Sequence, residues 1–276
     1  MTMKTIPTGL GPIAYDDQGD AGQPVALLWP SLFSDHRMWE AQIGPLRAAG
    51  WRTLALDPPG HGDSPGPGRL FTMDECAFVA LTLIDTLPAG VPVVMLGTSW
   101  GGMIAPRVAH ARPGRLTGLV MTNTTAEMPD LKTKLTAKLL TVMLRIPAID
   151  NMVDAMLLSM QMSERTRTEH PEIARTYAAR FRSYRRRPFI QAVDSVLVRR
   201  DAFLDKLGEV TTPALVLSGA DDTILPTAMN RRIADRMPTA EAIEIEGAAH
   251  LVPVERPEQM NALMLDRMNR WIEGKR

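Results

Sequence analysis

Six short, mostly apolar runs, Val25 to Trp29, Thr53 to Leu56, Val91 to Leu96, Leu116 to Thr122, Ala214 to Leu217 and Ala242 to Ile245, alternate with segments of helical spacing. That alternation leaves few architectures open. Apolar runs bounded by Gly, Pro and Asp suit strands covered on both faces. The intervening segments, Trp39 to Ala49, Met73 to Leu87, Gly102 to Ala111, Thr227 to Met237 and Pro257 to Trp271, supply the cover. The expected class is α/β, a mainly parallel sheet with helices on both faces. With 276 residues the chain has room for one large unit and an insertion. The alternation stops between Ala126 and Arg200, where the sequence reads as helical throughout. The organisation expected is therefore a core of residues 1–125 and 201–276 with an inserted helical cap at 126–200.

Within the insertion, Leu131, Leu135, Leu139 and Met143 fall on one helical face, with Lys132, Lys134 and Lys138 around the remainder. Met152, Met156 and Met160 continue at a spacing of four after Pro147. A basic amphipathic helix suits either a membrane surface or a cap packed on the main domain. The second is the expectation, with no stable membrane association. Arg180, Arg182, Arg185, Arg186 and Arg187 would suit an anionic group, but Tyr177, Phe181 and Tyr184 among them indicate a helix with one buried face and a solvated charged one.

Composition narrows the function. Lys plus Arg and Asp plus Glu both number 31, so no net field draws the chain to nucleic acid, and small-molecule chemistry is favoured. One cysteine, Cys76, excludes an intramolecular disulfide or a cysteine metal cluster and reads as a core residue. The N-terminus lacks the apolar run of a secretory signal, and no stretch approaches the roughly 18 apolar residues of a membrane span. A cytoplasmic protein is expected. No H-E-x-x-H, P-loop or dinucleotide G-x-G-x-x-G is present, and Pro58, Pro59 and Pro65 around Gly60-His61-Gly62 leave no helix start for a phosphate. The chemistry should need no cofactor and no metal.

The run Val91 to Met103 reads as a strand that turns sharply into a helix at Gly97-Thr98-Ser99-Trp100-Gly101. So tight a turn leaves no space for a side chain at 97 or 101, and it holds the serine hydroxyl at the strand's C-terminal end. The helix start directs free N–H groups at the same place, where they can stabilise an oxyanion. Pro106 near the start of that helix removes one hydrogen bond and predicts a kink.

Here the chain resembles the α/β-hydrolase superfamily, most closely its cap-bearing serine esterases and enol-lactonases. Asp57-Pro58-Pro59-Gly60-His61-Gly62-Asp63-Ser64 is similar to the family's D-x-x-G-x-G-x-S loop, whose role is structural. Gly219-Ala220-Asp221-Asp222 through Pro226 is similar to the segment carrying the catalytic acid, and Gly247-Ala248-Ala249-His250-Leu251 to the catalytic-histidine loop. The family pattern G-x-x-D-x-x-x-P selects Asp222, with Asp221 in reserve. His36, His110 and His170 lack a motif and His61 sits in the structural loop, so His250 is the candidate base. The resemblance implies a Ser99, Asp222, His250 triad in the family's chain order.

It further implies an oxyanion hole made by the N–H of Trp100 and one from the loop after the first apolar run. There the family's His-Gly is replaced by Trp29-Pro30, which makes Ser31 the expected donor and Leu32 the next. Trp29, Leu32 and Met143 are the expected substrate contacts, in a pocket for a bulky apolar ester, such as an aromatic ester or a macrolide-type lactone. The same triad would serve a C–C bond hydrolase, a perhydrolase or an acyltransferase. A ligand receptor on this fold is the alternative outside enzymes, disfavoured by the intact triad. Oligomeric state is not legible.

Overall fold

The computed structural model describes residues 3–184 and 186–274, with the side chain of Arg186 also outside the description. Strands β1 (Met3–Thr8), β2 (Gly11–Gln18), β3 (Val25–Trp29), β4 (Arg52–Leu56), β5 (Val93–Thr98), β6 (Gly118–Thr122), β7 (Ala214–Gly219) and β8 (Ala240–Ile245) form one eight-stranded sheet in the order β1-β2-β4-β3-β5-β6-β7-β8. From β4 to β8 all neighbours are parallel, and β1 and β2 add an antiparallel edge. Every residue of β3, β5, β6 and β7 is buried, as continuous apolar runs in a covered parallel sheet must be. Helices α1 (Glu40–Ala48) and α11 (Pro257–Glu273) pack together on one face, and α2 (Met73–Ile84), α3 (Trp100–Ala111) and α9 (Thr227–Arg236) lie on the other. The expected α/β-hydrolase architecture is present, and each of the six apolar runs is a strand.

The edge hairpin β1–β2 is not visible in apolar periodicity. It is partly exposed and carries Pro7 opposite Pro12, tolerated because β1 is the edge strand and Pro12 precedes the stretch of β2 that pairs with β4, so each has one unpaired side. Helix α2 starts at a capping box in which Thr72 and Glu75 satisfy each other's backbone N–H groups. Helix α3 runs on through Pro106 to Ala111.

Between β6 and β7 the chain is helical: α4 (Leu131–Met143), α5 (Asp150–Gln161), α6 (Glu164–Glu169), α7 (Pro171–Ser183) and α8 (Arg186–Leu197). The way α4 packs differs from the expectation. Its buried residues are Ala137, Leu140 and Thr141, Met143 is half-buried, and Leu131, Leu135 and Leu139 face solvent. Helix α8 lies on the Ala137 side, and nothing in the periodicity of α4 says which of its two apolar stripes meets that neighbour.

Among the described members of the arginine cluster, Arg182 and Arg187 are exposed as a solvated face requires, and Arg180 departs from it. The Arg180 side chain is mostly buried above the Tyr177 ring, and Arg182 pairs with Asp154. Arg185 and the side chain of Arg186 lie outside the described residues, and Arg187 is exposed. Tyr177, Phe181 and Tyr184 are buried. No described helix is long and apolar enough to cross a membrane.

Candidate active site

Parallel strands deliver their C-terminal ends to one edge of the sheet, and β5, β6, β7 and β8 are consecutive neighbours there. Ser99 follows β5, Asn123 follows β6, Asp222 lies beyond β7 and His250 beyond β8. Residues separated by up to 151 positions in sequence therefore share one small volume.

Ser99 sits at φ 53° and ψ −107°, a backbone state that an L side chain reaches only under strain, of about 1–3 kcal/mol. Its surroundings hold it there. The Ser99 N–H donates to the Thr122 carbonyl at 2.8 Å, and the Ser99 carbonyl accepts from the Met103 N–H at 2.9 Å and from the Thr124 hydroxyl at 2.8 Å. A Cβ on Gly97 would fall on the Gly101 backbone, and one on Gly101 on the Trp29 carbonyl. The turn exists because both positions are glycine.

Asp222 is wholly engaged. One carboxylate oxygen accepts the N–H groups of Ile224 at 2.8 Å and Leu225 at 3.0 Å. The other accepts the Asn123 side-chain amide at 2.9 Å and faces His250 Nδ1 at 2.8 Å. Burial alone would raise this carboxyl, but the His250 ring and the donors around it outweigh burial and hold it below its ordinary value. Asp221, the reserve, is exposed. His250 is buried, and among the described residues no hydrogen bond joins it to the Ser99 hydroxyl.

Two supporting residues were not found from sequence. Asn123 has φ 48° and bridges Asp222 to the Ala249 carbonyl at 3.0 Å. Asn tolerates the left-handed region better than other L residues, so an Asn directly after a buried strand was the available signal. Glu255 is buried, and one carboxylate oxygen accepts the N–H groups of Ala249 at 3.0 Å and Leu251 at 3.4 Å, on either side of His250. Its other oxygen accepts the Ser163 N–H and the Thr166 hydroxyl, both at 2.8 Å, at the start of α6. Nothing in local sequence signals a contact across 92 residues.

The loop after β3 presents several N–H groups. That of Ser31 faces the Met38 sulfur at 3.5 Å, and that of Phe33 donates to His61 Nε2 at 3.3 Å. The Ser34 N–H donates to the Ser31 carbonyl at 3.1 Å. The Leu32 N–H has no acceptor among the described residues. The Trp29 indole is fully buried and edge-on to Trp100 at 5.6 Å, and Trp100 in turn stacks on Phe71 at 5.8 Å. Both indoles therefore belong to a packed aromatic layer beneath the serine turn. Leu32 is buried, and Met143 is half-buried against the core.

The loop Asp57 to Ser64 ties the N-terminal part together. Asp57 accepts the backbone N–H groups of His36 at 2.9 Å and Asp63 at 2.8 Å, and the Ser64 hydroxyl donates to the Asp57 carbonyl at 2.8 Å. Ligand atoms of Asp35, His36 and Asp57 converge within 4.8 Å. Their lone pairs are already taken: Arg37 and the Tyr184 hydroxyl hold Asp35, and His36 Nδ1 faces Asp57 at 2.7 Å. This set reads as a structural network rather than a metal centre.

A family model described as the alpha/beta hydrolase family matches residues 26–263. A hydrolase from Dechloromonas aromatica, named for 2-hydroxy-6-oxononadienedioate and 2-hydroxy-6-oxononatrienedioate, is 30% identical, covering 91% of this chain and 89% of that one. The structure of a thermophilic esterase from Thermogutta terrifontis superposes with a TM-score of 0.87 at 25% identity, over 98% of this chain and 99% of the other. That of the enol-lactonase from Burkholderia xenovorans LB400 gives 0.87 at 22% identity, over 96% and 100%. The last likeness is one of fold.

Proposed function

The chain belongs to the alpha/beta hydrolase family, and from that premise we propose that it is a serine hydrolase cleaving a carboxylic ester or lactone through an acyl-enzyme on Ser99. The observation that carries this reading is the 2.8 Å contact between Asp222 and His250 Nδ1, at strand ends adjoining the strained Ser99 turn. Asp222 fixes the ring so that Nδ1 keeps its proton and Nε2 is the free base. Nε2 takes the Ser99 proton as Oγ adds to the substrate carbonyl. The imidazolium then protonates the leaving alkoxide, and the acyl group stays on Ser99. Water repeats the sequence and releases the acid.

The developing oxyanion meets the Trp100 N–H at the start of α3, where the helix dipole assists. For the second donor, the Ser31 N–H is turned to a sulfur whereas the Leu32 N–H has no acceptor among the described residues, which favours Leu32 over Ser31. Leu32 and Met143 are proposed as apolar substrate contacts, and Trp29 acts through the layer beneath the turn. We further assign residues 126–200 to a cap over this site and residues 1–125 and 201–276 to the core. Tyr184 donating to Asp35 and Phe181 and Phe189 packed on Phe33 support that division.

The test is turnover of a panel of p-nitrophenyl esters and lactones by the wild type and Ser99→Ala, with mass spectrometry for acylated Ser99. Ester turnover with an adduct at Ser99 is expected. No adduct and no turnover on any member would defeat the reading. A second reading, C–C bond hydrolysis with the same three residues, draws on the Dechloromonas aromatica relative. Faster turnover of a 2-hydroxy-6-oxo-dienedioate than of every ester would select it.

A further inference from the structure

The outer face of α4 is apolar and uncovered. Leu131 is 71% exposed, Leu135 63%, Leu139 61% and Val142 53%, although a helix of this composition ordinarily buries such a stripe. At 3.6 residues per turn these four share one side, opposite Ala137, Leu140 and Thr141, which meet the rest of the molecule. Lys134 and Lys138 border the stripe along one edge and Lys132 along the other, with Arg145 just past the helix end. The helix contains no acidic residue. Lys138 pairs with Asp194 on α8, whereas Lys132 and Lys134 form no ion pair among the described residues. Asp130, the acid just before the helix, is engaged in capping it through the Thr133 N–H.

We propose that this face of α4 seats the protein on an anionic lipid–water interface, with the four apolar side chains in the acyl boundary and the flanking cations among the headgroups. Apolar side chains bordered on both edges by lysines, whose long stems can carry their charge to the headgroup level, match that boundary. The charge pattern also discriminates against the commonest alternative occupant, a second copy. Pairing α4 with itself, parallel or antiparallel, sets lysines against lysines with no carboxylate on the helix to meet them. The balanced overall charge makes the attraction local to this face. The inference stands apart from the chemistry at Ser99, since none of these residues belongs to the proposed catalytic set.

Co-sedimentation of the full chain with vesicles tests it. Binding to phosphatidylglycerol vesicles is expected, weakened severalfold in high salt and on phosphatidylcholine alone. The double variant Leu135→Glu/Leu139→Glu should abolish binding, and Lys132→Glu/Lys134→Glu should reduce it about tenfold or more, from about 1 kcal/mol per surface cation. Lys132, Leu135 and Leu139 are exposed and Lys134 is partly exposed, so both variants should melt like the wild type. Absence of wild-type binding to anionic vesicles, or undiminished binding by both variants, would overturn the proposal. So would a wild-type dimer in light scattering that Leu135→Glu/Leu139→Glu converts to monomer, because the face would then be a contact between copies.

Discussion

Ser99 combines a strained backbone with three hydrogen bonds that enforce it, so its environment leaves little freedom in where the hydroxyl lies. Replacing Ser99 by alanine should remove ester turnover by about 10⁴-fold or more while the fold is retained, read as kcat with the melting temperature as control. Asp222→Asn should cost a comparable factor, because an amide facing Nδ1 can reverse the tautomer. Unchanged kcat in Asp222→Asn would remove that residue from the mechanism. Gly101→Ala tests the turn itself: the added methyl meets the Trp29 carbonyl, and a loss of about 1–3 kcal/mol in denaturant unfolding is expected. At this scale Gly97, Ser99 and Gly101 were legible because a tight turn imposes local rules. Asn123 was not, since its value lies in reaching Asp222 across 99 residues.

Elements contribute by where their ends fall. Glu255, on the short helix α10 (Val252–Glu255), receives hydrogen bonds from both neighbours of His250 and from the first turn of α6, so it joins the histidine loop to the inserted helices. Removing its carboxylate in Glu255→Ala leaves several buried donors unpaired. A loss of about 3 kcal/mol in stability is expected, together with a lower kcat through misplacement of His250. A variant with lowered melting temperature and unchanged kcat would confine Glu255 to stability. The parallel strands were readable because burial on both faces writes itself as a continuous apolar run. The β1–β2 hairpin was not, because an edge is half solvated and admits proline. Helix α4 was legible as a helix but not in its orientation, since either of its two stripes satisfies the same periodicity.

For the molecule as a whole, acid sensitivity has an identifiable source. His61 is fully buried, donates through Nδ1 to the Pro59 carbonyl and accepts the Phe33 N–H, and burial pushes it down to about 4. The unfolded chain binds that proton near pH 6.5, so His61 contributes stability fully above 6.5 and loses it as pH falls toward 4, on the order of 3 kcal/mol. His36 acts in the opposite direction. Burial would lower it, but Asp57 outweighs burial and raises it, so its contribution is present at low pH and fades as pH rises through the raised value. Urea unfolding from pH 7 to 4 should show a steep loss that His61→Asn flattens, and an unchanged slope in that variant would place the acid sensitivity elsewhere. The sequence alone determined the alternation of buried strands and helices, the serine turn and the parallel sheet, because burial periodicity and steric demands at a turn act between near neighbours. How Asn123 and Glu255 brace Asp222 and the His250 loop, which N–H after β3 lacks an acceptor among the described residues and which face of α4 meets solvent were decided only in the tertiary structure. Each depends on groups brought together from distant parts of the chain, where hydrogen-bond geometry and packing choose among alternatives that are locally equivalent.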